Sequence, residues 1–81
     1  MPNPTITITP MPPTAGSKIT IKYSGTPGTK LTLDWDPASE PSSAVVDENG
    51  NAEVTVPAGA TSLIVDDPTG GAKPVSTMIQ H

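Results

Sequence analysis

The sequence predicts an all-β protein, an antiparallel β-sandwich of about seven short strands. Three observations support this prediction. Apolar and polar residues alternate in short runs rich in β-branched residues, so every second side chain falls on one face of a strand. Turn signals separate these runs at intervals of roughly 10 residues. No run has helical spacing, and the 11 prolines and 7 glycines leave little room for a helix.

The first strand is predicted at residues 5–9, after an exposed arm of residues 1–4. Two prolines in the arm remove backbone donors and restrict their neighbours, so regular structure is not expected there. In the strand, Ile6 and Ile8 alternate with threonines and are expected to point inward. Prolines flank the strand on both sides, which favours a position at the edge of a sheet. Residues 5–81 are expected to form one sandwich domain.

The second and third strands are predicted at residues 17–24 and 31–36, with a Gly- and Pro-containing turn between them. Both alternate strictly between apolar and polar residues. Because the chain has one Trp, one Tyr and no Phe, the indole of Trp35 is its largest apolar group and is expected at the centre of the core. The residues of these two strands expected to point inward are Ile19, Ile21, Tyr23, Leu31, Leu33 and Trp35.

The second half of the chain supplies four more predicted strands. Residues 44–47 and 52–56 lie on either side of Asn49-Gly50. Asn-Gly between two apolar segments is a strong signal for a β-hairpin, so these two strands are predicted to pair with each other. The sixth and seventh strands are predicted at residues 63–67 and 75–80.

The composition argues against several classes of partner and site. The formal net charge is −4, with four basic side chains, so no cationic surface for nucleic acid or anionic lipid is expected. The absence of cysteine removes disulfides, thiolate metal sites and thiol nucleophiles. No run approaches the ~20 apolar residues of a membrane span, and no signal peptide is recognised. We therefore expect synthesis in the cytoplasm and no membrane or nucleic-acid partner.

One stretch of the sequence resembles a known family. Residues 47–66 read DENGNAEVTVPAGATSLIVD. This is similar to the later half of bacterial immunoglobulin-like repeats, in which an N-G turn is followed by V-T-V-P-A-G-A-T-S and a short aliphatic strand. The resemblance implies an immunoglobulin-like sandwich. Trp35 then falls on the third strand, where such sandwiches place a core tryptophan.

The same resemblance implies a function by analogy. In adhesins and enzymes the module is a repeat inside a long secreted chain, whereas this sequence opens with Met1 and shows no second copy. A free-standing module of this size resembles the decoration proteins of tailed-phage capsids. The expected partner is therefore a major capsid protein or another virion protein, bound on the capsid exterior. The alternative is a bacterial cell-surface or secreted adhesion module from a longer chain, and the neighbouring genes would distinguish the two.

Carboxylates are the main candidates for chemistry, and none is predicted to form a site. Asp34, Asp36, Asp66 and Asp67 would gather if the third and sixth strands were neighbours, and oxygen clusters bind Ca²⁺. The interpretation that we favour is the solvated face of half-buried strands. Asp34 and Asp36 resemble an acid/base pair, but their strand implies no pocket. A Ser-His pair would need His81, at a chain end that frays. No catalytic residue, metal ligand or cofactor is expected, and the chain is predicted not to be an enzyme.

Partner contacts are instead expected from the proline-rich segments. Stiff, extended segments lose little entropy on binding; the alternative is an unstructured terminus and an ordinary loop. The polar loop of residues 37–43 is a further candidate, and unpaired sheet edges could accept a strand from a partner. The oligomeric state is left open. The predicted partner-binding residues are Pro2, Pro4, Ile6, Pro10, Met11, Pro12 and Pro13.

Overall fold

Two antiparallel sheets pack face to face as a β-sandwich in the computed structural model, which describes residues 3–81. The predicted fold class is confirmed. No helix capable of crossing a membrane occurs among these residues. The seven strands are β1 (Ile6–Thr9), β2 (Lys18–Tyr23), β3 (Lys30–Asp36), β4 (Ser43–Val45), β5 (Asn51–Thr55), β6 (Ser62–Asp66) and β7 (Val75–Met78).

One sheet has the strand order β1-β2-β5 and the other the order β4-β3-β6-β7. β1 is an edge strand, as its flanking prolines predicted. The fourth strand joins the sheet of the third, sixth and seventh strands; in a constant-type immunoglobulin domain it would lie beside the fifth.

The core lies between the two sheets and is built by alternation along the strands. All side chains predicted to point inward from the first three strands are buried. Trp35 lies within the core, and its Nε1–H donates a hydrogen bond to the carbonyl of Pro41 at 2.6 Å, which ties the following loop to β3. The buried apolar residues are Ile6, Ile8, Ile19, Ile21, Tyr23, Leu31, Leu33, Trp35, Val46, Ala52, Val54, Val56, Ala60, Leu63, Val65, Ala72 and Ile79.

The predicted hairpin across Asn49-Gly50 is wrong. The turn itself forms, because Gly50 adopts φ +83° and its N–H donates to the carbonyl of Asp47 at 3.0 Å. However, β4 pairs with β3, and β5 pairs with β2 in the other sheet. Val46, directly before the turn, is buried in the core, so the chain passes between the sheets here. Turn chemistry fixes the reversal of the chain, whereas burial decides which strands then pair.

A crossing segment, residues 13–15, joins the two sheets after β1. Thr14 forms a parallel bridge with Gln80. The N–H of Gln80 donates to the carbonyl of Pro13 at 2.8 Å, and the N–H of Ala15 donates to the carbonyl of Gln80 at 2.7 Å. These bonds attach the crossing segment to the residues that follow β7, and so join the two sheets along one side of the sandwich.

The strand directions divide the loops between the two ends of a molecule 38 Å long. The arm end comprises residues 3–5 and the loops 24–29, 46–50 and 67–74. The C-terminal end comprises the loops 10–17, 37–42 and 56–61 and residues 79–81.

Candidate interaction surface

The structure separates the residues that were predicted to bind a partner. Pro4 is half-buried at the arm end, whereas residues 10–12 are exposed at the C-terminal end, with the length of β1 between them. Ile6 and Pro13 pack inside the domain, so their side chains are not available to a partner. Pro2 lies outside the described residues. A partner that binds one end of the sandwich therefore contacts only one of the two proline-rich segments.

A buried carboxylate organises the arm end. Asp67 directly follows β6, is 2% exposed and accepts four hydrogen bonds. The hydroxyl of Tyr23, at the end of β2, donates to Oδ2 at 2.6 Å. The N–H and hydroxyl of Thr69 donate to Oδ1 at 3.0 and 2.6 Å, and the N–H of Ala72 donates to Oδ2 at 3.2 Å. The hydrogen bond between Tyr23 and Asp67 therefore joins one sheet to the other, and the bonds from Thr69 and Ala72 fix the loop that follows β6.

The expectation that Asp67 lies on a solvated face is wrong. The alternation of the strand explains why: Leu63, Val65 and Asp67 are two residues apart, so their side chains share the inward face. A buried carboxylate needs donors, and Tyr23 at the end of an inward-facing series supplies one. The sequence did contain a signal for this pair: the inward-facing alternation of β6 continues to Asp67, and that of β2 ends at Tyr23.

The hydrogen bonds shift the pKa values of both groups. The pKa of the Asp67 carboxyl is lowered, first because the Thr69 hydroxyl donates to the carboxylate and next because the Tyr23 hydroxyl does so. The pKa of the Tyr23 hydroxyl is raised, first because it donates to Asp67 and next because it is buried. Both shifts favour the pair in which Asp67 is ionised and Tyr23 is protonated.

We expect the free energy of unfolding to fall at both ends of the pH range. Asp67 has a lower pKa in the folded chain, so its contribution is present above the unfolded value of about 3.9 and is lost as pH falls through the folded value. Tyr23 has a higher pKa when folded, so its contribution is lost as pH rises above about 10 through the folded value. Urea unfolding at a series of pH values measures this. If the free energy of unfolding of Asp67→Asn fell at acid pH by as much as that of the wild type, the assignment of the acid-side loss to Asp67 would be contradicted.

The arm packs against the loop that Asp67 holds. A Cβ atom placed on Gly71 would lie 3.3 Å from Asp67 Oδ2 and 3.4 Å from Pro4 Cγ, so Gly71 lies close to both residues. Thr5 is fixed as well, because its N–H donates to Ser24 Oγ at 2.8 Å. A shallow groove, the arm groove, runs along this contact. It is lined by Asn3, Pro4, Thr5, Ile6, Gly71, Lys73 and Val75.

The remaining carboxylates are placed by the pairing of β3 with β6. Asp34 lies opposite Ile64, Asp36 opposite Ser62, and Asp66 opposite Thr32, so all three aspartates occupy the outer face of the four-stranded sheet. Asp67 is on the inner side. Within residues 3–81, no group of three or more histidine, aspartate or glutamate side chains is arranged to hold a metal ion. His81 is exposed at the C-terminal end.

Comparison of the chain with protein-family models, with curated proteins and with solved structures gave no match. The likeness of residues 47–66 to bacterial immunoglobulin-like repeats is thus a resemblance in sequence alone. The fold supports the β-sandwich that this resemblance implies.

Proposed function

We propose that the chain is a non-enzymatic structural protein of a virion that docks on the exterior of a bacteriophage capsid. The partner is the major capsid protein or another virion protein. The proposal rests on the resemblance of residues 47–66 to immunoglobulin-like repeats and on the construction of the arm end. A docking module needs a rigid surface presented by a stable scaffold, and the arm end has this form.

One observation supports the choice of surface: Pro4 of the arm lies against a loop that a buried, four-fold hydrogen-bonded aspartate already holds. A preorganised surface loses little conformational entropy on binding, so more of the contact energy appears as affinity. Lys73 supplies a positive charge beside the arm in a chain of net charge −4. We therefore place the capsid contact at residues 2–5 and the loop 67–74.

The mechanism of capsid stabilisation is linkage. A protein that binds the assembled shell and not its free subunits shifts the assembly equilibrium toward the shell, by an amount set by its concentration and affinity. The sandwich contributes a rigid body of 8.2 kDa. It needs no reactive group for this role.

Mass spectrometry of purified particles, followed by co-sedimentation of the purified chain with capsids, tests the proposal. Deletion of residues 1–3 together with Lys73→Glu should weaken capsid binding at least about tenfold. Met11→Ser, on an exposed side chain at the opposite end, is the matched control and should bind as the wild type does. Longer deletions are unsuitable because Ile6 and Ile8 belong to the core. Particles without the protein would refute the function, and equal binding by both variants would refute the surface.

A second candidate is favoured by the positions of the two chain ends. β1 starts at the arm end and β7 finishes at the C-terminal end, so the chain enters and leaves at opposite ends of the 38 Å axis. Modules strung in series along an adhesin need this arrangement. A bacterial cell-surface or secreted adhesion module is therefore the alternative. A gene within a large repeat-containing reading frame would favour it, whereas capsid and tail genes on either side would favour the virion protein.

A further inference from the structure

The four-stranded sheet ends in an edge strand, β7, with free backbone groups. Within residues 3–81, β7 pairs only with β6. The N–H of Ile79 donates to the carbonyl of Thr61 at 3.0 Å, and antiparallel hydrogen bonding alternates along a strand. The N–H and C=O groups of Ser76 and Met78 therefore point away from β6. Gln80, the next residue in this phase, is already bonded on that side to the crossing segment.

The other three edge strands carry features that oppose pairing with another chain. β1 is flanked by Pro4 and Pro10, and β5 has Glu53 at its centre. β4 is three residues long and is soon followed by Asp47 and Glu48. β7 contains neither a proline nor a charged residue, and its outward side chain Met78 is 70% exposed. Among the described strands, β7 is thus the edge best suited to accept another strand.

We propose that this edge pairs with β7 of a second copy of the chain, as an antiparallel, twofold-symmetric dimer. Placing the two Thr77 residues opposite each other sets Ser76 of each copy opposite Met78 of the other. In this register the free N–H and C=O groups of both residues are all bonded. The carbonyl of Met78 also accepts a hydrogen bond from the Thr77 hydroxyl at 3.0 Å. Its second lone pair remains free to accept an N–H of the added strand. The pairing needs only Val75–Met78 and stops before the crossing segment.

The side chains of the outer face fit this register. Ser62 and Ser76 are small and leave a depression beside Ile64, which is 41% exposed. Met78 of the second copy lies opposite Ser76 and reaches this depression, and the twofold axis repeats the contact. Two apolar side chains that are exposed in a single copy are thereby covered. Because methionine is flexible, it suits such an irregular hollow.

The charges of the same face are placed so that two acidic chains can approach. Asp34 and Asp36 lie on β3, two strands from the β7 edge, and Asp66 lies on β6. In the proposed dimer, aspartates of the two outer faces are at least three strand spacings apart, about 14 Å. This exceeds the Debye length of about 8 Å at physiological ionic strength, so their repulsion is largely screened.

Sedimentation equilibrium of the full chain, from about 10 μM to about 1 mM, tests the dimer. The average mass should rise from 8.2 kDa toward twice that value. Met78→Lys puts a charge into the apolar contact, and Ser76→Pro removes an outward N–H without breaking a bond to β6, so both should remain monomeric. Val45→Lys, which changes an exposed apolar residue on the opposite edge strand, is the matched control and should still dimerise.

A cysteine variant tests the register, because the chain has no cysteine of its own. Thr77→Cys should form a covalent dimer on mild oxidation, since facing residues of a non-hydrogen-bonded pair have Cα atoms about 4.5 Å apart. Val45→Cys should not. A wild type that stays monomeric at about 1 mM would overturn the proposal, as would a dimer that survives both Met78→Lys and Ser76→Pro. Capsid binding plays no part in these measurements, so the two proposals can fail separately.

Discussion

Asp67→Ala should destabilise the domain by about 3–5 kcal/mol, because hydrogen bonds to a charged group contribute about 1.5–3 kcal/mol each and are not additive. The substitution removes the acceptor of four hydrogen bonds and leaves the Tyr23 hydroxyl and the Ala72 N–H without partners in a buried site. A chain of 81 residues has about 4–12 kcal/mol of stability in all. We therefore expect a large part of the population to unfold at 37 °C, measured by urea unfolding and Trp35 fluorescence.

Two other substitutions separate the buried pair from a general loss of charge. Asp66→Ala changes the adjacent carboxylate, which lies on the outer face, and should alter stability by no more than about 0.5 kcal/mol. Tyr23→Phe keeps the ring in the core and removes one donor, so we expect a loss of about 1.5–3 kcal/mol. If Asp66→Ala and Asp67→Ala cost the same, Asp67 does not have the role assigned to it.

Gly25→Ala should cost about 2–4 kcal/mol, although residue 25 lies in a turn at the surface. A Cβ atom at this position would lie 2.5 Å from the hydroxyl oxygen of Tyr23. The ring would have to move, and its hydrogen bond to Asp67 would break or lengthen. The backbone of Gly25 is not in the left-handed region, so the expected loss comes from the contact with the ring. Urea unfolding again gives the measurement.

Gly59→Ala is the matched control for this effect. Gly59 also lies in a turn outside the left-handed region, and no atom lies within 4 Å of the position of its Cβ. Alanine restricts the unfolded chain and should raise stability by about 0.4–1 kcal/mol. Equal effects at the two positions would mean that the Tyr23 ring does not occupy the space described.

The fold was predictable because alternation decides both strand positions and faces. Ile19, Ile21 and Tyr23 were assigned to the core from spacing alone, and all three are buried. The proline positions also placed β1 at an edge. In these cases a local pattern and the global packing require the same structure, and the sequence alone is then sufficient.

The partners of the fourth and fifth strands were not predictable from local signals. The Asn49-Gly50 turn forms as the sequence indicates, but Val46 is drawn into the core and the flanking strands join different sheets. Strand pairing depends on which distant strands pack beside each segment, and the residues near the turn do not determine this. The same holds for the site: the contacts of Gly25 with Tyr23, and of Gly71 with Pro4, exist only once distant loops have come together.

An NMR titration of the carboxyl carbons tests the central claim most directly, namely that a buried, ionised Asp67 joins the two sheets and fixes the arm end. The resonance of Asp67 can be assigned by its absence in Asp67→Asn. Its transition should lie below the value of about 3.9 that an aspartate has in an unfolded chain, with the indole of Trp35 still in its folded environment. A transition at or above that value would contradict the account.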